Sequence, residues 1–125
     1  MMAKCDEGYR CEVCGEDVEN VMQSDLYLRY VIGSVDPETL HTSAERHIRC
    51  NPVLAQFIVD DRFEPVAAKG DWDKRNLDPE YVRQREELVT RGWRRLKEVL
   101  QAGLPIIEYP LPEVLEGLKR QAEDF

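Results

Sequence analysis

Apolar and polar positions alternate over residues 26–32, a spacing of two that is typical of a β-strand with one buried face. One side of the pattern carries Leu26, Leu28, Tyr30 and Ile32, and the other side carries Tyr27, Arg29 and Val31. A partner strand is indicated by Val18, Val21 and Met22, with a turn at residues 23–25. Gly33 ends the pattern. We therefore predict a β-hairpin over residues 18–32.

The strongest helix signal begins at Asp78-Pro79, where an N-capping residue precedes a proline at the first helical position. The predicted helix covers residues 79–102, because Gly103 and Pro105 end it. At about 3.6 residues per turn, one broad face carries Tyr81, Val82, Leu88, Val89, Trp93, Leu96, Val99 and Leu100. Such a face indicates packing against the core or against a partner.

Shorter elements are predicted on both sides of this helix. A proline in the first turn predicts a helical turn at residues 36–38, and capping-box spacing predicts a helix start at residues 42–45. A further helix opens at residues 50–52, again with a first-turn proline. Residues 106–109 are predicted as a short strand or extended arm, and residues 112–122 as the last helix.

Two residues interrupt the apolar face of the long helix, Arg85 and Gly92. A buried charge needs a partner, and a glycine inside a helix costs about 1 kcal/mol against alanine. One interpretation is that Arg85 reaches solvent while Gly92 relieves crowding beside Trp93. The other is that a second element crosses at Gly92 while Arg85 meets a carboxylate of the acidic N-terminal half or of a second subunit. The second interpretation makes Arg85, Gly92 and Trp93 an interface with a protein partner or within a homodimer.

Composition favours one globular domain. The chain has 125 residues, of which 42% are hydrophobic and 34% charged, and its net charge is −8. No apolar run approaches the roughly 18 residues of a membrane helix, and the N-terminus has no apolar stretch of signal-peptide type. We therefore expect a cytoplasmic protein with no membrane partner. The negative charge also argues against a general nucleic-acid binder.

Two residue pairs with the same spacing indicate a metal site. Cys11 and Cys14 form a C-x-x-C turn followed by Gly15, and His47 and Cys50 repeat the spacing. Together they read C-x2-C-x32-H-x2-C, a set of three thiolates and one imidazole that zinc prefers in closed structural sites. The helix predicted to begin at Cys50 favours a thiolate there through its dipole. We predict that these four residues bind zinc.

Two further residues are candidates for the fourth ligand position. Cys5 lies six residues before Cys11, and His41 lies six residues before His47. A redox role is the other alternative for the C-x-x-C pair. That chemistry is typical of a pair that opens a helix in a βαβ unit, a context that this sequence does not provide.

A knuckle, a hairpin and a ligand pair at the start of a helix together resemble the treble-clef group of zinc-binding proteins. The matching residues are Cys11, Cys14, His47 and Cys50, and the resemblance covers residues 9–60. It implies an α+β fold, in which a zinc-stabilised hairpin and helix precede an α-helical extension. We predict a zinc-binding module at residues 1–65 and a helical extension at residues 66–125, packed as one compact domain. A zinc ribbon is the alternative, because the spacer between the ligand pairs is long.

Three classes of function are compatible with a zinc site in a small domain. A closed site with four protein ligands favours a structural module that acts through protein interaction or regulation. A zinc-dependent hydrolase or lyase would need an open metal position, with Glu45 or Asp36 as general base. A nucleic-acid-binding treble clef would use Arg46, Arg49 and Arg62. We favour the first class, and the sequence decides neither the partner nor whether the chain is an enzyme.

Overall fold

The computed structural model describes residues 10–123, and this part of the chain is helical. The α-helices are α1 (Asp25–Val31), α2 (Pro37–Leu40), α3 (Pro52–Ala55), α4 (Pro79–Ala102) and α5 (Pro112–Glu123). Short 3₁₀ turns cover Val21–Gln23, Ile48–Cys50, Gly70–Trp72, Lys74–Asn76 and Ile106–Glu108. Residues 10–123 contain no strand, and they form only two isolated β-bridges, Arg10 with Asp17 and Ser24 with His47. The predicted α+β fold is therefore wrong for the described chain.

The segment predicted as a hairpin forms α1 instead. Ser24 caps this helix, because its Oγ accepts a hydrogen bond from the Tyr27 backbone N–H at 3.0 Å. Tyr27 and Val31 were assigned to the outer face of a strand, yet both are buried along with the apolar residues between them. A helix that is buried on nearly all sides has no polar face, so its sequence lacks the period of 3.6 residues. The apparent alternation rested on Arg29 alone as an outward polar residue.

The predicted bounds of the long helix are confirmed, because α4 covers Pro79–Ala102. Its first turn is capped by Asp78, whose Oδ2 accepts a hydrogen bond from the Tyr81 N–H at 3.0 Å. It ends at Gly103, which adopts a left-handed conformation with φ of +64°. The buried part of the predicted apolar face is Val89, Trp93, Leu96 and Val99. Tyr81 and Leu100, near the ends of the same face, are exposed.

Helices α1 and α4 pack closely at Gly92. A Cβ atom placed on Gly92 would overlap Cγ2 of Ile32 and would lie 3.2 Å from Cδ1 of Leu28. The glycine therefore permits a close approach that no larger residue would allow without movement. The crossing element expected at Gly92 is α1 of the same chain, and whether Arg85, Gly92 and Trp93 also form an interface stays a prediction.

The C-terminal segment closes over α1 from the other side. The Leu111 N–H donates to the Val31 carbonyl at 3.1 Å, and the Tyr30 hydroxyl donates to the Ile106 carbonyl at 3.0 Å. The ring of Tyr109 packs against that of Tyr27 at 5.9 Å. One hydrophobic cluster consequently includes residues from Val21 to Leu111. Residues 106–108 form a 3₁₀ turn, so the short strand or extended arm predicted at residues 106–109 is wrong.

The remaining short elements divide into confirmed and wrong predictions. Helix α2 is capped by Asp36, which accepts a hydrogen bond from the Thr39 N–H at 2.9 Å, as the sequence predicts. Helix α5 forms at its predicted position. Helix α3 begins at Pro52 as predicted but ends at Ala55, so the predicted helix to residue 60 is too long. The capping box at residues 42–45 is wrong, because Glu45 is buried and its Oε1 accepts a hydrogen bond from Ser24 at 2.6 Å. Within residues 10–123, no helix has the length and apolar character needed to cross a membrane.

Candidate metal centre

Two tight turns present the predicted ligands toward each other. In the first, the Gly15 N–H donates to the Cys11 carbonyl at 2.9 Å, and Gly15 takes a positive φ of +78° just after Cys14. In the second, the Cys50 N–H donates to the His47 carbonyl at 3.0 Å and closes the 3₁₀ turn. The repeated two-residue spacing therefore corresponds to two compact turns, each of which places its two ligand side chains on the same side.

The ligand atoms of these turns converge. One ligand atom from each of Cys11, Cys14, His47 and Cys50 lies within 4.8 Å of the other three. His47 Nδ1 is 3.3 Å from Cys14 Sγ and 3.9 Å from Cys50 Sγ. Tetrahedral zinc with bonds of about 2.0–2.3 Å needs ligand atoms about 3.5–3.8 Å apart, so a small contraction of the cluster satisfies it. The four side chains could hold a metal ion.

The orientation of the His47 ring is fixed by a main-chain contact. Its Nε2 lies 2.9 Å from the Asp17 carbonyl oxygen, which can only accept, so Nε2 carries the proton. The lone pair of a neutral imidazole is then on Nδ1, the atom that faces the thiols. Metal-binding histidines commonly donate their second N–H to a carbonyl or carboxylate in this way.

Main-chain N–H groups stabilise the thiolate of Cys11. Its Sγ accepts from the Val13 N–H at 3.4 Å and from the His47 N–H at 3.3 Å. Burial raises the pKa of this thiol, but hydrogen bonds from the backbone of Cys14, His47 and Val13 outweigh burial and lower the pKa to about 6. Cys11 is therefore prepared to act as an anionic ligand near neutral pH.

Cys50 has the opposite electrostatic environment. Burial raises the pKa of its thiol to about 12, and the neighbouring sulfur atoms of Cys11 and Cys14 contribute in the same direction. Thiolates at this spacing repel each other, and a divalent cation between them would remove that repulsion.

A buried carboxylate that the sequence analysis missed supports the ligand segment. Asp25 Oδ2 accepts hydrogen bonds from Arg46 Nη2 at 2.9 Å and from Arg29 Nε at 2.9 Å, while Oδ1 accepts from Asn51 Nδ2 at 2.8 Å. The Asp25 N–H also donates to the Arg46 carbonyl at 2.8 Å. Asp25 thus ties the residue before His47 to the first turn of α1. The usable signal in the sequence was Ser24-Asp25 as a helix start, which was read as a hairpin turn.

The alternative ligands lie elsewhere. His41 is exposed at the C-terminal end of α2 and does not belong to the four-residue cluster. Cys5 lies outside the described residues. Arg85 rests over the ring of Phe57, with its Cζ 5.9 Å from the ring centroid, and it forms no ion pair with residues 10–123.

A cleft of about 690 Å³ opens beside the candidate metal centre. Cys14, His47 and Cys50 form part of its wall. Its apolar side consists of Met22, Ile48, Phe63 and Trp93, and its acidic side consists of Glu16, Asp17 and Glu19. The cleft therefore extends from the metal ligands to the aromatic residues Phe63 and Trp93 of the core.

Comparisons of this chain with protein-family models, with curated proteins and with solved structures find no match. The treble-clef resemblance therefore has no support beyond the ligand set. The hairpin on which it also depended is replaced by α1.

Proposed function

We propose that this chain is a zinc-stabilised protein-interaction module, in which one zinc ion is bound by Cys11, Cys14, His47 and Cys50. The observation that carries the proposal is the convergence of these four ligand atoms from two turns far apart in the sequence. The orientation of His47 by the Asp17 carbonyl supports it, because a ligand fixed before binding loses little freedom on binding.

The role of the metal would be to attach residues 10–18 to the helical core. The apolar cluster around these residues is small, and it consists of Cys11, Val18 and Cys50. Few other contacts hold this segment, among them the hydrogen bond from the Glu12 N–H to the Glu45 carbonyl at 2.9 Å. Small metal sites supply folding free energy where an apolar core does not.

Four protein ligands favour a structural site over a catalytic one, because a zinc hydrolase or lyase keeps one position open for water. The two candidate general bases have structural partners. Glu45 is buried and accepts hydrogen bonds from Ser24 Oγ and from the Arg46 N–H, and Asp36 caps α2. We therefore do not propose hydrolase or lyase activity.

The arginines considered for nucleic acid are also engaged within the chain. Arg46 pairs with Asp25 at 2.9 Å, and Arg62 pairs with Asp60 at 3.1 Å. Arg49 lies over the ring of Phe63, 4.4 Å from its centroid. The net charge of −8 also opposes binding to a phosphate backbone. A protein partner is the proposal that the charges support better.

The test is metal content and coordination. We expect the purified chain to contain one zinc ion, measured by elemental mass spectrometry, and its cobalt-substituted form to give the intense visible absorption of a tetrahedral thiolate site. Cys14→Ser and His47→Ala should lower zinc affinity by more than about a hundredfold, since even a residue that only orients a ligand costs 10–100-fold.

Two matched controls address the alternative ligands. Cys5→Ser and His41→Ala remove the same side-chain types and should leave zinc affinity unchanged. Loss of zinc in either control, or no zinc in the unmodified chain after expression with zinc, would contradict the proposed ligand set.

A further inference from the structure

The cleft beside the metal centre combines an apolar interior with an acidic edge. Phe63 and Trp93 form its aromatic side and pack edge-to-face, with ring centroids 5.5 Å apart. Met22, which is half-buried, extends this apolar side towards the metal ligands. The guanidinium carbon of Arg49 lies 4.4 Å from the centroid of the Phe63 ring, and that of Arg62 lies 5.7 Å from the centroid of the Trp93 ring. An aliphatic side chain of a partner would therefore take the place of a guanidinium on this apolar side.

Three exposed carboxylates, those of Glu16, Asp17 and Glu19, line the edge of the cleft. None of them forms an ion pair within residues 10–123. The one cation of the lining is Arg49, whose guanidinium lies over Phe63. This edge of the cleft is thus acidic, with three carboxylates against one guanidinium.

About half of the chain's own cations already have acidic partners. Nine of them are engaged in intramolecular ion pairs, namely Arg29, Arg46, Arg62, Lys74, Arg75, Arg83, Arg91, Arg94 and Arg95. A second copy of a chain with a net charge of −8 would also repel the first. Charge complementarity therefore favours a different, basic protein over self-association.

We infer that this cleft binds a basic segment of a partner protein, in which lysine or arginine side chains flank an aliphatic residue. The aliphatic residue packs on Phe63 and Trp93, and the cations pair with Glu16, Asp17 and Glu19. This inference rests on the proposed interaction role and specifies its partner. The zinc ion positions the acidic turn but does not contact the basic segment.

The test uses the zinc-loaded chain and a short fluorescein-labelled peptide that alternates lysine with leucine. Fluorescence polarisation should show saturable binding that weakens as salt is raised. A Trp72→Phe background leaves Trp93 as the one tryptophan, because the chain has two. Its emission should shift with the same peptide, unlabelled, at concentrations that match the polarisation curve.

Two triple variants decide the question, because each removes three negative charges, one set inside the cleft and the other set outside it. Combining Glu16→Gln, Asp17→Asn and Glu19→Gln should weaken peptide binding about tenfold, since exposed ion pairs contribute up to about 1 kcal/mol each. The control combines Glu38→Gln, Asp71→Asn and Glu116→Gln, which are exposed acids outside the cleft, and should leave binding within about twofold.

Equal weakening in the two triple variants would overturn the inference, as would equal binding of a peptide that alternates glutamate with leucine. Absence of saturable binding by the zinc-loaded chain would overturn it as well. Metal content is measured on every sample. A chain that holds zinc but binds no peptide refutes the cleft inference alone, whereas a chain that binds the peptide through these acids without zinc refutes the zinc site alone.

Discussion

His47 donates its Nε2 proton to the main-chain carbonyl of Asp17 across 2.9 Å. The residues that follow Cys14 therefore determine that Nδ1 of His47, and not Nε2, faces the thiols. The acceptor is a backbone atom, so substitution of the Asp17 side chain leaves this contact in place. This relationship separates two properties of residue 17. Its carbonyl belongs to the metal centre, and its carboxylate belongs to the acidic edge of the cleft.

Removal of the metal is expected to destabilise the chain. At a free zinc concentration a thousand times the dissociation constant, binding to the folded state alone contributes about 4 kcal/mol to the free energy of unfolding. A strong chelator should therefore lower the melting temperature measured by circular dichroism. It should also increase hydrogen exchange first at residues 10–18, because this segment has little apolar contact of its own.

The control for this prediction is the Cys14→Ser variant treated with the same chelator. A chain that has already lost the site should show no further decrease in melting temperature. An equal decrease in both proteins would mean that the chelator acts elsewhere.

Substitution of Gly92 is expected to destabilise the chain even where helix propensity predicts a gain. Gly92→Ala places a Cβ against Ile32 Cγ2, so overpacking of about 1–3 kcal/mol should exceed the roughly 1 kcal/mol that alanine gains in a helix. Gly92→Leu should cost more. Urea unfolding gives both values, and Ile32→Ala should reduce the cost of Gly92→Ala in a double-mutant cycle.

The matched control is Gly117→Ala in α5. No atom lies within 4 Å of a Cβ built there, so this substitution should be neutral or should stabilise the chain by up to about 1 kcal/mol. If Gly92→Ala also stabilised the chain, the close approach of α1 and α4 would be contradicted.

Asp25→Ala is expected to cost about 3–5 kcal/mol, because it leaves Arg29, Arg46 and Asn51 without their shared acceptor. It should also weaken zinc binding, since Asp25 holds the residue next to His47. Glu80→Gln is the comparison, because its ion pair with Arg83 is exposed and should contribute less than about 1 kcal/mol. Equal melting temperatures for the two variants would argue against the support role of Asp25.

Arg85→Met tests whether α4 also forms an interface. Arg85 Nε is buried without a hydrogen-bond acceptor in residues 10–123, and its guanidinium carbon lies 5.9 Å from the centroid of the Phe57 ring. We expect methionine to preserve the packing and to leave stability within about 1 kcal/mol, with unchanged metal content. Sedimentation velocity should be unchanged too. A smaller sedimentation coefficient for the variant would place Arg85 at a contact between copies or with a partner.

Local signals in the sequence predicted part of this molecule correctly. The bounds of α4 depend on a cap, a proline and a glycine, each of which acts within a few residues. The sequence also predicted that Cys11 and Cys14 form one cluster with His47 and Cys50, because the two-residue spacing within each pair indicates a compact turn.

Contacts between distant segments were not predictable in this way. Helix α1 is buried between α4 and the residues around Leu111. Its residues are therefore apolar on nearly every side, and the sequence does not show the period of 3.6 residues that is typical of a helix. Asp25 meets Arg46 and Asn51 across more than twenty residues of sequence, and no local rule pairs them. The hairpin prediction failed because burial on all sides removed the pattern by which helices are recognised.

The closing of α1 by late segments of the chain has a consequence for synthesis on the ribosome. Ile32 meets Gly92 about 60 residues after it has been made, which corresponds to several seconds at about 5–20 residues per second. The metal ligands are complete by Cys50, well before α4 has emerged. We therefore expect zinc to organise the nascent N-terminal half first. Zinc shortage during translation would then leave residues 10–18 unattached, while α1 stays uncovered until α4 and the residues around Leu111 have been made.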